Sequence, residues 1–328
     1  MPGPTLSMAF VMDPIESIQI ETDTTFVLML EAQARGHRIW TVDPGDLGAE
    51  GGHPRAWVRP VQLRRETGRH AECGPELLVE LDEAFDVVLQ RKDPPVDAAY
   101  VRATQILSLC RKSLVLNRPE SILSANEKLY TLHFPELMAE TLVTRRVAEL
   151  LDFMAALGGE MIVKPLDGRG GEGIFHLRTD DRNLFSILEQ STSFQTRPVM
   201  AQRYLPEVRK GDKRILLLDG ESLGAVLRVP SERETRANLH VGGRAVAAQL
   251  DADDRRIIET LAPALRRDGL FLVGIDVIGG RLTEVNVTSP TGMQEIDRLD
   301  GVRLEARVLD AVEERVRTRA LGAPPASG

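Results

Sequence analysis

Cysteine is almost missing: Cys73 and Cys110 are the only two in 328 residues. They form neither a CxxC pair nor a spacing suited to a disulfide framework or a zinc site, which fits a reducing compartment. No run approaches the roughly 18 uninterrupted apolar residues of a membrane span. The start, Met1-Pro2-Gly3-Pro4, lacks the basic and apolar pattern of a secretory signal, so the expected location is the cytoplasm, with no membrane partner. Positive charge is not in excess either, with 41 Lys plus Arg against 49 Asp plus Glu and a formal charge of −8. That balance excludes a general nucleic-acid binder but leaves room for a local anion pocket. The chain also lacks a GxSxG elbow, an HExxH pair and a GxxxxGK[ST] phosphate loop, and its six histidines have no metal-ligand spacing. His133, His176 and His240 stand isolated and read as structural. No covalent side-chain nucleophile is indicated.

What remains is a globular composition, 42% hydrophobic and 27% charged. At roughly 150 residues per domain the length suggests two units with room for a small third. Residues 8–13 are an apolar run ending in Asp-Pro, and Thr22 and Asp23 offer caps for a helix that ends near Gly36. Strands at 38–42, 86–90 and 114–116 alternate with helices such as 97–109, which implies a parallel sheet. Residues 45–69 carry no clear pattern. Ser124-Ala-Asn-Glu127 has the form of a capping box and sets Lys128 in the first turns of a helix. After a strand near Leu142 and a helix over 147–157 the pattern changes. Short strands at 161–166, 174–178, 199–204, 214–218 and 223–229 suggest antiparallel sheet. A helix over 251–267 precedes a hairpin of 270–278 and 282–287, and residues 319–328 read as a loose tail.

Three segments carry chemistry. Asp167-Gly168-Arg169-Gly170-Gly171-Glu172-Gly173 places four glycines between two strands, so backbone N–H groups can turn towards a phosphate, and the segment reads as a flap over a nucleotide. Lys164, on the apolar strand leading into it, must reach water or meet an anion. In the C-terminal hairpin Glu284 and Asn286 share a face. A two-residue Gly279-Gly280 turn would set Asp276 opposite Thr283, whereas a three-residue turn would set it opposite Glu284. Apposed carboxylates repel unless a cation lies between them. The expectation is the three-residue turn and a magnesium site of Asp276, Glu284 and Asn286. Finally, residues 203–244 hold nine basic and six acidic residues, a local charge of +3, and include a polar segment over 231–243 long enough to be a lid. Arg214 and Arg228 adjoin apolar strands there.

Glycine flap, lysines and acidic hairpin together resemble an ATP-grasp carboxylate–amine ligase. The motifs Val11-Met12-Asp13-Pro14-Ile15, Arg91-Lys92-Asp93-Pro94-Pro95, Asn126-Glu127-Lys128-Leu129, Lys164-Pro165-Leu166-Asp167-Gly168, Gly211-Asp212-Lys213-Arg214, Glu234-Thr235-Arg236 and Glu284-Val285-Asn286-Val287-Thr288-Ser289-Pro290-Thr291 resemble, in order, those of bacterial glutathione synthetases. The resemblance implies an α/β ATP-grasp fold in three parts: an N-terminal parallel-sheet domain (1–122), a lid domain (123–200) and an antiparallel catalytic domain (201–318). It implies that Lys128 and Lys164 meet ATP phosphates beneath Gly168, Gly170 and Gly171, with Asp212 also at the nucleotide. Gln202, Tyr204 and Leu205 would hold adenine, and Asp276, Glu284 and Asn286 would hold magnesium or manganese. Arg214, Arg228 and Arg236 would face substrate carboxylates or an acyl phosphate. The implied partners are γ-glutamylcysteine, glycine and ATP, and a homo-oligomer is suggested. The chain departs from the family's usual pattern at Ser231-Glu232-Arg233 and His240-Val241. A ligase for another amino acid or γ-glutamyl peptide, and a non-catalytic nucleotide-binding protein, remain alternatives on this reading.

Overall fold

The computed structural model describes residues 5–168, 170–231 and 242–322. Three sheets follow one another along the chain. The first contains Ser7–Val11 (β1), Arg38–Val42 (β2), Leu47–Glu50 (β3), His53–Leu63 (β4), Ala71–Cys73 (β5), Leu77–Glu80 (β6), Val87–Gln90 (β7) and Leu114–Leu116 (β8), with helices Thr24–Ala34 (α1), Leu81–Ala84 (α2), Ala98–Leu107 (α3) and Pro119–Ser124 (α4). The second contains Thr141–Thr144 (β9), Glu160–Pro165 (β10), Phe175–Arg178 (β11) and Val199–Gln202 (β12), with Val147–Ala156 (α5) and Leu184–Ser191 (α6). The third contains Asp212–Leu218 (β13), Glu221–Val229 (β14), Arg244–Ala247 (β15), Leu272–Ile278 (β16) and Arg281–Asn286 (β17), with Ala252–Asp268 (α7), Met293–Asp300 (α8) and Leu304–Gly322 (α9). No described helix is long and apolar enough to cross a membrane.

In the first sheet β1 pairs in parallel with β2 and β7, and β7 with β8. The side chain of Asp23 caps α1 by accepting from Phe26 N–H, and that of Asp97 caps α3 by accepting from Tyr100 N–H. The sheet is mixed rather than wholly parallel. Residues 45–69 supply β3 and all of β4, which pair antiparallel with one another, and β4 also pairs antiparallel with β2. Strand β4 alternates as an amphipathic strand should, with Pro54, Ala56 and Val58 buried and His53, Trp57 and Arg59 exposed. Its two prolines, Pro54 and Pro60, mask that pattern, because proline ordinarily argues against a strand.

The second sheet has the order β11-β10-β12-β9 and the third β15-β14-β13-β16-β17, with all pairings antiparallel. Helix α7 begins at a capping box of Asp251 and Asp254 and stops at left-handed Gly269. Its buried Ile257, Ile258, Leu261 and Leu265 pack on the odd positions of β13 and β16, among them Ile215, Leu217, Val273 and Ile275. Even positions of the same strands face the other way. Leu216 and Leu272 join the core of the first sheet, together with Val308, Leu309 and Val312 of α9. Leu218 packs on that same core, while Asp212, Asp276 and Ile278 line a cleft, with Arg214 paired to Asp276 beside them.

Two local expectations are corrected. Residues 124–127 do not start a helix: α4, opened by Pro119, ends at Ser124. Instead Asn126 Oδ1 accepts from the N–H groups of Lys128 (3.1 Å) and Leu129 (3.0 Å), leading into a 3-10 turn at Leu129–His133. The Glu127 carboxylate is then free to point elsewhere. The tail also starts later than expected, because α9 runs to Gly322 and the Arg319 guanidinium donates to Ser113 O at 3.0 Å. Residues 323–328, and the part of the lid segment over 232–241 with Arg236, His240 and Val241, lie outside the described residues.

One buried side chain ties the first sheet to the third. Asn117 Nδ2 donates to Leu272 O (3.0 Å) and Val287 O (2.8 Å), while its Oδ1 accepts from Leu272 N–H (2.8 Å). Asn117→Ala strands three backbone groups, and unpaired buried groups cost about 1–3 kcal/mol each. The expected outcome is a lower urea midpoint with an unchanged m-value, measured by circular dichroism.

Candidate active site

Alternation puts Ile162 and Lys164 of β10 on the cleft side and Met161 and Val163 in the core against α5 and α6. Strand β10 parts from β11 beyond the Val163–Phe175 pair, and residues 166–168 and 170–174 are the described part of the flap. Gly168 is required there because a Cβ would come within 2.7 Å of Pro165 Cγ and 2.9 Å of Glu172 O. Gly170 and Gly171 both have positive φ, 58° and 84°, and line the cleft with Gly168.

Across the cleft, the third sheet supplies a row of cross-strand charges. Arg228 on β14 stands opposite Asp212 on β13, Arg214 opposite Asp276 on β16, and Asp276 opposite Glu284 on β17. The Arg228 guanidinium bonds Asp212 Oδ2 and lies 3.0 Å from Asp276 Oδ2. Arg214 grips Asp276 with two bonds, Nε to Oδ1 at 2.5 Å and Nη2 to Oδ2 at 3.0 Å, and its Nη1 donates to Thr291 O at 3.2 Å. Buried ions are tolerable because each is paired. Burial alone would raise the Asp276 pKa, but Arg214 and Arg228 outweigh it and hold that carboxyl well below the usual range. For Asp212 burial dominates and, with Asp276 adding to it, pushes the pKa up to about 6 despite Arg228. Asp212 Oδ1 is buried without a hydrogen-bond partner among the described residues.

The apposition of Asp276 and Glu284 is present, but the turn expected to produce it is not. Gly279 and Gly280, with φ of 54° and 71°, form a two-residue turn that pairs Ile278 with Arg281. A bulge at Thr283 then shifts the register, so that Asp276 meets Glu284 after all. Two successive glycines at positive φ favour the tight primed turn, and the extra residue moves into the strand. The bulged Thr283 carbonyl accepts from Lys164 Nζ at 3.1 Å.

Both lysines are buried, Lys128 at 3% and Lys164 at 4% exposure. Lys128 Nζ donates to Gly168 O at 2.9 Å and lies 3.5 Å from Glu284 Oε1, joining flap to hairpin. Burial depresses the Lys164 pKa, with Glu284 opposing it. Asn286 Nδ2 lies 3.2 Å from Gly274 O and 3.4 Å from Asp276 Oδ2. A divalent cation fits this donor set: two carboxylates and an amide, all hard oxygen groups, on adjacent strands. Among the described residues no three of His, Cys, Asp and Glu converge on one point. A metal here would therefore complete its shell with water and phosphate oxygens, as magnesium commonly does.

Flap, lysines and charge row enclose one cleft of about 1050 Å³ open to solvent, also lined by Gln202, Tyr204 and Leu205. Gln202 Nε2 donates to Thr141 Oγ1 at 2.8 Å. Tyr204 and Leu205 follow the end of β12, and the Tyr204 ring stacks on His176 at 3.9 Å. His176, read as an isolated structural histidine, thus lines the cleft, and its Nε2 lies 3.1 Å from Glu160 Oε2. Its place on β11, two residues beyond the flap, was the available signal. Glu127 was also missed. The capping-box pattern drew attention away from its carboxylate, which bonds the end of β17.

The family model of the prokaryotic glutathione synthetase N-terminal domain matches residues 6–122, and that of the prokaryotic glutathione synthetase ATP-grasp domain matches residues 127–301. A glutathione synthetase of Gloeobacter violaceus is 48% identical over 95% of this chain and 98% of that protein. One of Brucella melitensis is 46% identical over 94% and 99%. Among solved structures, the D-cycloserine synthetase DcsG superposes with a TM-score of 0.68 at 16% identity, covering 94% of this chain and 100% of that one. The ATP-grasp ligase PsnB, complexed with precursor peptide PsnA2 and AMPPNP, gives 0.60 at 17% identity, covering 95% and 98%. At those identities the structural likeness speaks for the ATP-grasp fold alone. With models matching both halves and relatives near half-identical end to end, the chain belongs to the prokaryotic glutathione synthetase family.

Proposed function

We propose that the chain makes glutathione from γ-glutamylcysteine and glycine at the expense of ATP. The γ-phosphoryl group passes to the cysteinyl carboxylate. The glycine amine attacks the acyl carbon, the C–O bond to phosphate breaks, the amine sheds its proton, and ADP and phosphate leave. The observation that carries this reading is Lys164: a buried ammonium at the cleft wall whose contact is a carbonyl, and which no described carboxylate approaches within ion-pairing distance. A phosphate in the cleft supplies the missing counter-charge.

In this reading Lys128 and Lys164 hold the phosphates, with Gly168, Gly170 and Gly171 covering them. Gln202, Tyr204 and Leu205 border the adenine, and Asp212 offers its unpaired oxygen to the nucleotide. Asp276, Glu284 and Asn286 would hold magnesium or manganese, which when bound neutralises phosphate charge. Arg214 and Arg228, with Arg236 from the lid segment, face the peptide carboxylate and the acyl phosphate. Such chemistry is positioning plus charge neutralisation and needs no side-chain nucleophile. The working division proposed is 1–122 for the N-terminal domain, 123–200 for the lid domain and 201–318 for the catalytic domain, in a cytoplasmic homo-oligomer.

Coupled ADP release with γ-glutamylcysteine, scanned against glycine, alanine and cysteine, is expected to show dependence on glycine. Release independent of any acceptor overturns the ligase reading, and preference for another amino acid corrects the acceptor. Glu284→Gln is expected to slow magnesium-dependent turnover by about 100-fold or more with little change in Tm, and unchanged turnover removes Glu284 from the site. Asp212 also predicts a pH effect. Between its ordinary value near 3.8 and about 6 the folded chain keeps a proton that the unfolded chain has lost, so this group's contribution to stability falls as pH rises through that window. Asp212→Asn is therefore expected to gain stability relative to the parent from pH 4 to pH 6.5, as read by urea denaturation at each pH.

A further inference from the structure

We propose that Glu127 is a positioning residue for this site, locking the strand that carries Glu284 and Asn286 to the neighbouring Lys128. Its backbone carbonyl accepts from Val285 N–H at 2.9 Å. Its carboxylate Oε1 accepts from the N–H groups of Val287 (3.1 Å) and Thr288 (3.3 Å) and from Thr288 Oγ1 (2.8 Å). One residue thus holds the backbone on both sides of Asn286. The next, Lys128, reaches Glu284 at 3.5 Å and Gly168 O at 2.9 Å. The dipeptide 127–128 therefore touches every residue from 284 to 288 except Asn286 itself, and leaves that side chain facing Asp276.

The hold continues beyond β17. Asp93 bonds Ser289 Oγ, Arg91 Nη2 donates to Pro290 O at 3.1 Å, and Arg214 Nη1 donates to Thr291 O at 3.2 Å. Five consecutive residues leaving the hairpin are each fixed by a charged side chain or, for Val287, also by Asn117. Glu127 is the member of this set that adjoins Lys128 in the chain, between the last strand of the first sheet and the first strand of the second. A carboxylate used this way keeps ligand groups aimed while touching none of the reacting atoms, and removal of such supports typically costs 10–100-fold in metal affinity or activity.

The inference rests on the proposed assignment of Glu284 and Asn286 to a divalent cation, so its test separates the two. Binding of AMPPNP to the full chain, by calorimetry with and without Mg²⁺, is compared for the parent, Glu127→Ala and Glu127→Gln, beside kcat and KM from ADP release. Glu127→Ala is expected to lose at least about tenfold of the Mg²⁺ enhancement of AMPPNP affinity, to bind metal-free AMPPNP like the parent, and to lose kcat more than it raises KM. Glu127→Gln keeps an oxygen at the bonding position and is expected to restore both to within about threefold. If Glu127→Ala does not fold, Thr288→Ala against Thr288→Ser asks the same question of the shortest bond, with loss and rescue in the same sense. An alanine variant that is less heat-stable but unchanged in Mg²⁺ enhancement and kcat overturns the proposal. So does a parent whose AMPPNP binding ignores Mg²⁺. A parent that binds Mg²⁺-dependently but forms no peptide bond overturns the functional reading and leaves the binding comparison decisive.

Discussion

The bidentate pair of Arg214 and Asp276 is the contact on which the site's arrangement depends. It joins opposite residues of the two central strands of the third sheet, where both side chains are nearly inaccessible. An unpaired charge there would cost several kcal/mol, so neither partner can leave without a substitute. Around it the antiparallel register sets alternating signs on adjacent strands, Arg228 beside Asp212 and Glu284 beyond Asp276. The row is close to neutral within itself, and across the cleft Lys164 of the facing sheet donates to a carbonyl and has no ion-pair partner among the described residues.

Two cores hold this row in place. One face of the third sheet is sealed by α7, and part of the other by the first sheet and α9, so the charged positions occupy the stretch of sheet that neither covers. The second sheet brings its own core of α5 and α6 and needs only the lysine, the flap and the end of β12 to close the cleft. Polar contacts join the second unit to the hairpin, among them Lys164 to the Thr283 carbonyl and Lys128, which also bonds the Gly168 carbonyl, to Glu284.

Much of this was legible in the chain. Short strand-forming runs located β10, β13, β16 and β17, and the cap at Asp23 located the first helix, because these signals are local. The flap was legible because four glycines in seven residues have few other uses. What failed did so where two local rules competed. Ser124 to Glu127 satisfied the capping-box spacing, yet Pro119 had already opened the helix upstream, so Asn126 turned the chain and Glu127 served the hairpin. The Gly279-Gly280 turn was judged by the pairing it had to produce, whereas a bulge three residues on produced the same pairing. Strand β4 was hidden by prolines that its neighbours accommodate.

By itself the sequence pointed to the kinds of chemistry available: no recognised nucleophile motif, no soft-metal spacing, a lysine on the strand before a glycine flap, and hard oxygen groups on a hairpin. It also determined the family, through motifs spaced from residue 11 to residue 291. Only the tertiary structure decided which charges face one another. Arg214 and Asp276 are 62 residues apart, and Glu127 and Thr288 are 161 apart. Pairing at such distances follows from strand order and register, which are fixed by how whole faces bury against α7 and the first sheet. Local spacing carries no record of that choice.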